Sequence, residues 1–146
     1  MASVAIFDYG AGNIFSLKNS LEQAGASVDV ITSFDKPNVY SGLLLPGVGN
    51  FDPAIKSINE NSKTKFQDFV KQNTPVLGIC LGMEMFFEKS EEGIEKGFNV
   101  IDGEIVVLPS TVKVPHMGWN NLEIKRPGVI LEGVKDDSWV YFVHSY

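Results

Sequence analysis

Four short stretches of this sequence are apolar almost without interruption: Val4-Ala5-Ile6-Phe7, Val28-Asp29-Val30-Ile31, Leu43-Leu44-Leu45 and Pro75-Val76-Leu77-Gly78-Ile79. A strand with one wet face alternates apolar and polar residues. A strand that is apolar throughout must be covered on both faces, the situation of a parallel sheet between layers of helices. The segments between the runs supply such helices. Residues 14–24 carry Ile14, Leu17, Leu21 and Ala24 at spacings of three and four, with Gly25 as a C-terminal stop. Residues 52–60 place Ile55 and Ile58 on one face, residues 63–72 do the same with Phe66, Phe69 and Val70, and a further helix is expected from Leu81 to Glu88. Strands alternating with amphipathic helices predict an α/β fold: a mostly parallel sheet with helices on both faces. The short connections predict a single domain over residues 1–146.

The chain is 146 residues long, 44% hydrophobic and 21% charged, a balance that supports a packed core and argues against disorder. A formal net charge of -6 repels phosphate backbones, so nucleic acid is not an expected partner. The mixed cluster Glu88-Lys89-Ser90-Glu91-Glu92 reads as a solvated helix end. One cysteine rules out an intrachain disulfide and fits a reducing compartment. The start lacks the basic and apolar regions of a signal peptide, and no run approaches the ~20 apolar residues of a membrane span. The expected location is the cytoplasm.

After Gly97 the pattern changes to shorter strand candidates separated by Gly and Pro: Val100-Ile101, Ile105–Leu108, Leu122-Glu123-Ile124 and Val129-Ile130-Leu131. Trp139–Val143 is a stronger one, and it lies three residues from the end of the sequence. A strand so apolar belongs inside a sheet, so the domain is expected to be C-terminally incomplete.

Gly78-Ile79-Cys80-Leu81-Gly82 joins the fourth apolar run to the following helix. A nucleophile on a tight strand-to-helix turn is exposed, and the turn crowds the residues two before and two after it, so both favour glycine. The helix N-terminus would favour thiolate, and the Leu81 N–H would face a developing oxyanion. The alternative is a cysteine acting as a small buried hydrophobe. Pro46-Gly47-Val48-Gly49-Asn50-Phe51 would lie at the same carboxyl edge of the sheet, either as a turn aiming N–H groups at an anion or as a plain loop. Gly10-Ala11-Gly12-Asn13 fails the dinucleotide fingerprint, because Phe15 stands where its third glycine is needed, so NAD and FAD are rejected. The scattered His and Cys indicate no metal site, and no cofactor is expected.

The elbow with Met83 resembles that of the class I, triad-type glutamine amidotransferases. Asp8–Asn13, Leu45–Phe51, Phe87–Gly93, Pro115-His116-Met117-Gly118-Trp119-Asn120 and Tyr141–Tyr146, in that order, are similar to the glutaminase subunits of imidazole glycerol phosphate synthases. The resemblance covers nearly the whole chain. It implies a flavodoxin-like sheet, Cys80 as the nucleophile on L-glutamine, and ammonia passed to a (β/α)₈-barrel cyclase subunit in histidine biosynthesis. It further implies oxyanion donors at Leu81 and Val48, the latter after its loop reorients, and substrate contacts from Gly49 and the Glu84 position. Asn13, Met117, Trp119 and Tyr141 match positions that the family places at the cyclase interface. Trp119 can also be read as a core aromatic.

Three departures bear on these expectations. The family completes its site with a motif of the form Phe-His-Pro-Glu, which this sequence lacks; its two histidines, His116 and His144, belong to other motifs. The chain alone is therefore expected to be inactive on glutamine. Glu84 stands where Gln is usual, and a carboxylate there would oppose thiolate formation and repel the glutamine carboxylate. Phe15 stands where many relatives carry Arg. The alternatives are a catalytically incomplete docking module and a related glutaminase serving another acceptor.

Overall fold

The computed structural model describes residues 1–34 and 39–146, in two compact units, Met1–Val106 and Val107–Tyr146. The first unit holds β1 (Ser3–Phe7), α1 (Ile14–Gln23), β2 (Ser27–Ile31), β3 (Gly42–Leu45), α2 (Phe51–Ser57), α3 (Glu60–Lys71), β4 (Val76–Gly78), α4 (Leu81–Glu84), β5 (Lys89–Ser90) and β6 (Glu104–Ile105). β2, β1, β3 and β4 lie side by side in that order, and every pairing is parallel. Both faces are covered, as the uninterrupted apolar runs require. On one, Ala5, Phe7, Leu43 and Leu45 pack with Phe51, Ala54 and Ile55 of α2 and Phe66 and Phe69 of α3. On the other, Ile6, Val28 and Leu44 meet Ile14, Leu17 and Leu21 of α1.

Local chemistry fixes the helix ends. The Asn13 side chain accepts the Ser16 N–H at 3.1 Å to start α1, and Asn59 accepts the Ser62 N–H at 2.8 Å to start α3. Gly25 adopts φ +86 just after α1, a left-handed conformation that costs glycine little. The parallel register sets Ile6 beside Leu44 and Leu45 beside Gly78, so the loops leaving β1, β3 and β4 emerge along one edge of the sheet.

The structure corrects several expectations. The helix expected over 81–88 is one turn, Leu81–Glu84. Beyond it the carbonyl of Met85 accepts Phe98 N–H at 2.7 Å and that of Phe86 accepts Val100 N–H at 2.8 Å. Those carbonyls serve the returning chain, so they do not extend the helix. The cluster 88–92 is not a solvated helix end: Lys89–Ser90 is a strand, Ser90 is buried, and Glu92 is half-buried. The fourth apolar run is less covered than its composition suggests, with Leu77 in β4 41% exposed and Ile79 just after it 39% exposed, because α1 packs over Ile6, Val28 and Leu44. Residues 100–101 form no strand, and of 105–108 only Ile105 belongs to one, β6.

The second unit holds β7 (His116–Asn121) and β8 (Trp139–His144), an antiparallel pair with Trp119 opposite Tyr141. Trp139–Val143 is a strand as expected, whereas the strand of the Pro-His-Met-Gly-Trp stretch was not anticipated. Leu122–Ile124 is not a strand: the Leu122 N–H still reaches the Ser138 carbonyl at 2.9 Å, but the Asp136 carboxylate accepts the Ile124 N–H at 2.8 Å in place of a ladder partner. Val129–Leu131 is a 3₁₀ turn after Pro127-Gly128, closed by the Leu131 N–H on the Gly128 carbonyl at 2.9 Å. Among the described residues no helix is long and apolar enough to cross a membrane.

The first unit's core is built on stacked phenylalanines. Phe66 is fully buried, 4.2 Å from Phe98 between ring centroids and 5.9 Å from Phe86. Phe66→Ala is expected to cost about 3–5 kcal/mol, read as a lowered denaturation midpoint with the m-value unchanged.

Candidate active site

Cys80 sits between β4 and α4 with φ 52 and ψ −121, and its side chain is exposed. A side-chain-bearing residue held at positive φ stores strain of ~1–3 kcal/mol, and such strain collects at functional sites. The flanking glycines show what holds it there. A Cβ on Gly82 would fall 1.8 Å from the Leu45 carbonyl oxygen, and one on Gly78 would fall 2.6 Å from the Met83 Cα and 2.7 Å from Phe86 Cε2. The turn closes because neither residue has a side chain. The Cys80 carbonyl then accepts the Met83 N–H at 2.8 Å and the Glu84 N–H at 3.1 Å, which starts α4. Since α4 has only one turn, its dipole is small, and the N–H groups of Gly82, Met83 and Glu84 are already taken by the Ile79 and Cys80 carbonyls. Leu81 occupies the first helical position, where a backbone N–H has no helical acceptor.

The loop after β3 lies against this turn. A Cβ on Gly47 would meet the Gly82 amide nitrogen at 2.7 Å, Leu81 Cβ at 2.8 Å and the Tyr9 hydroxyl oxygen at 2.5 Å. The Tyr9 hydroxyl donates to the Pro46 carbonyl at 2.7 Å. A Cβ on Gly12 would lie 3.2 Å from Pro46 Cβ and Cγ. The loop after β1, which fails as a dinucleotide site, thus buttresses Pro46. Burial, and after it the Cys80 charge, push the Tyr9 phenol far above its usual range, so it remains a donor. Three glycine-bearing loops from distant parts of the chain therefore meet at the cysteine.

Past Gly47 the loop opens. Val48 is 60% exposed, and Gly49 adopts φ +108 with open space where a Cβ would stand. The loop closes again at α2, where Glu92 accepts the Phe51 N–H at 2.8 Å. Next to it, Asp52 accepts the Ile94 N–H at 2.9 Å and the Glu95 N–H at 3.0 Å. These two amides, Glu95 first, with Lys56 beside them, hold the Asp52 carboxyl below its ordinary range.

The first unit therefore contains Cys80, Leu81, Val48, Gly49, Glu84 and Asn13. Glu84 ends α4, one turn beyond Cys80, and is half-buried. Asn13 caps α1 and, with Ser16, Leu17, Ser20, Pro46, Gly47, Val48 and Ile79, lines a shallow cavity of about 270 Å³. The second unit contains Met117, Trp119 and Tyr141. They share the exposed face of β7–β8 with Trp139 and Val143. Trp119 is 66% exposed and meets Tyr141 edge-on at 5.6 Å, so it is not a core aromatic. On the opposite face His116 Nδ1 and His144 Nε2 are 2.9 Å apart, beside Phe142. Sequence reasoning did not single out Tyr9, Gly47, Asp52 or Glu92. Tyr9, Gly47 and Glu92 lie inside the motifs it quoted and Asp52 lies just past one, yet nothing in their spacing marks the contacts they make.

Gly82→Ala is expected to destabilise the fold by about 3 kcal/mol or more, because the obstruction is backbone and cannot rotate away. Gly49→Ala meets no atom and carries only the cost of its positive φ, about 1 kcal/mol. Urea denaturation of the two variants checks the contrast.

Residues 5–146 match the family model of the class-I glutamine amidotransferases. Among similar curated proteins, the imidazole glycerol phosphate synthase subunit HisH of Archaeoglobus fulgidus is 44% identical over 146 residues, covering 98% of this chain and 72% of the relative. The subunit of the same name from Aquifex aeolicus is 42% identical, covering 97% of this chain and 70% of its own length. That of Cyanophora paradoxa is 39% identical, covering 98% and 68%. With the cysteine elbow and its supporting loops in place, the chain belongs to the class-I glutamine amidotransferases, in the family of the imidazole glycerol phosphate synthase subunit HisH.

Proposed function

We propose that this chain is a cytoplasmic glutaminase subunit that hydrolyses L-glutamine at Cys80 and passes the ammonia to a (β/α)₈-barrel cyclase subunit, for imidazole glycerol phosphate formation in histidine biosynthesis. The observation that carries the reading is the strained, exposed Cys80 at φ 52, locked between Gly78 and Gly82. The thiolate attacks the side-chain amide carbon of glutamine, forming a carbon–sulfur bond as the carbonyl electrons move to oxygen. The oxyanion takes the N–H of Leu81 and, after its loop turns, that of Val48. Collapse expels ammonia, which requires a proton from a general acid, and leaves a glutamyl thioester that water hydrolyses to glutamate. Gly49 and the Glu84 position contact the substrate in this reading.

The exposed face carrying Met117, Trp119 and Tyr141 supports a docking role, since large apolar side chains on one sheet face mark a partner surface. A second reading, a docking module without turnover, draws on the histidines. His116 and His144 hydrogen-bond to each other, so a base from that pair would have to leave its partner.

Glutamine turnover measured with the cognate cyclase subunit tests both readings. The chain alone, which lacks a Phe-His-Pro-Glu motif, is expected to stay inactive; in the complex the expected result is hydrolysis that Cys80→Ala lowers at least ~10³-fold. Binding to the cyclase without hydrolysis would favour the docking module, and loss of both would sink either reading. Trp119→Ala is expected to weaken the complex by roughly 2 kcal/mol, about thirtyfold in Kd, with the chain still folded. Titration calorimetry against the cyclase measures that loss.

A further inference from the structure

His116 opens β7 and His144 closes β8, and the antiparallel register sets them directly opposite each other. The pairing brings together two side chains 28 residues apart in sequence, with His116 Nδ1 2.9 Å from His144 Nε2. On its far side the His144 ring meets the Tyr146 backbone oxygen, 2.8 Å from Nδ1. That oxygen can only accept, so Nδ1 of His144 carries a proton and, in the neutral ring, Nε2 presents a lone pair. Phe142 packs beside both rings, its centroid 5.1 Å from that of His116 and 5.8 Å from that of His144. All three side chains are half-buried, so the pair is sheltered yet open to small solutes.

We propose that His116 Nδ1 and His144 Nε2 form a binding site for one divalent transition-metal cation of the class that prefers imidazole and right-angled geometry, Ni(II) or Cu(II), which takes the place of the proton between the two rings. The inference does not depend on the chemistry given above to Cys80. Two imidazole nitrogens ~2.0–2.1 Å from an ion and at right angles to each other stand about 2.8–3.0 Å apart, whereas a tetrahedral angle needs about 3.3–3.4 Å. The spacing of the pair fits the right angle. A swing of the rings turns both lone pairs towards the ion, since the backbone already holds the residues opposite each other. His116 moves its proton from Nδ1 to Nε2 through solvent, so both ligands stay neutral and no proton is released. The bond from His144 Nδ1 to a backbone oxygen is of the kind that orients a metal-bound imidazole and fixes its tautomer. Neither strand carries Lys or Arg to repel a cation. Among the described residues no three His, Cys, Asp or Glu side chains are grouped to hold an ion, so water fills the remaining positions and the ion is exchangeable.

Titration of the full chain with Ni(II), free of any affinity tag, tests the site without requiring turnover. The chain carries Cys80→Ala throughout, because the exposed thiol would compete for the same ion. Calorimetry should show a single Ni(II) bound per chain, with His116→Asn and His144→Asn each weakening it at least ~10-fold. Zn(II) should bind more weakly than Ni(II). In ¹H–¹⁵N spectra the paramagnetic Ni(II) should broaden the resonances of His116, Phe142 and His144 first, a readout that holds even where a histidine variant fails to fold. No binding at millimolar Ni(II), an affinity that both substitutions leave unchanged, or broadening centred elsewhere in the chain would each overturn the site. Tighter binding of Zn(II) than of Ni(II) would overturn its right-angled geometry.

Discussion

The Leu45 carbonyl occupies the space where a side chain on residue 82 would have to be. That backbone-on-backbone contact sets how closely the ends of β3 and β4 approach. It also fixes where the chain must turn after Ile79, whose N–H bonds to the same carbonyl at 3.0 Å. The strained backbone of Cys80 is the result. Strain of ~1–3 kcal/mol persists only where the surroundings over-determine it, and here the parallel pairing of β3 with β4 and the packing of buried Leu81 and Met85 do so. Cys80 is thus presented by the sheet, with the one-turn α4 adding little beyond the Leu81 N–H at its first position.

The polar groups around this turn are mostly engaged by backbone. Tyr9 serves a carbonyl, Asp52 serves two amides, and Glu92 serves one. Each joins segments distant in sequence, and each leaves Cys80 and Val48 open to solvent. Well-anchored surroundings with an exposed Val48 and an unobstructed Gly49 between them suit a reaction in which charge appears briefly on one oxygen atom, since fixed donors need no reorganisation when it forms.

The second unit solves a different problem. A two-stranded pair has little core of its own and is marginal in isolation. β7 and β8 show two unlike faces, one of half-buried His116, Phe142 and His144, the other of exposed Met117, Trp119, Trp139, Tyr141 and Val143. Aromatic side chains gathered this way lose little entropy when covered, which makes them effective anchors for a protein partner.

The sequence by itself determined the parallel sheet, the positions of α1 and α3, and the cysteine elbow between Gly78 and Gly82. Uninterrupted apolar runs admit few burial solutions, and glycines two residues either side of a cysteine after a strand answer a local steric demand. It did not determine the length of α4, where the carbonyls of Met85 and Phe86 were taken by residues 98 and 100. Nor did it settle the fate of 122–124 and 129–131, where an Asp136 carboxylate and a local turn replaced ladder partners. Tyr9 and Glu92 were legible only as members of motifs. Their roles depend on hydrogen bonds spanning 37 and 41 residues, and only the folded chain brings such partners together.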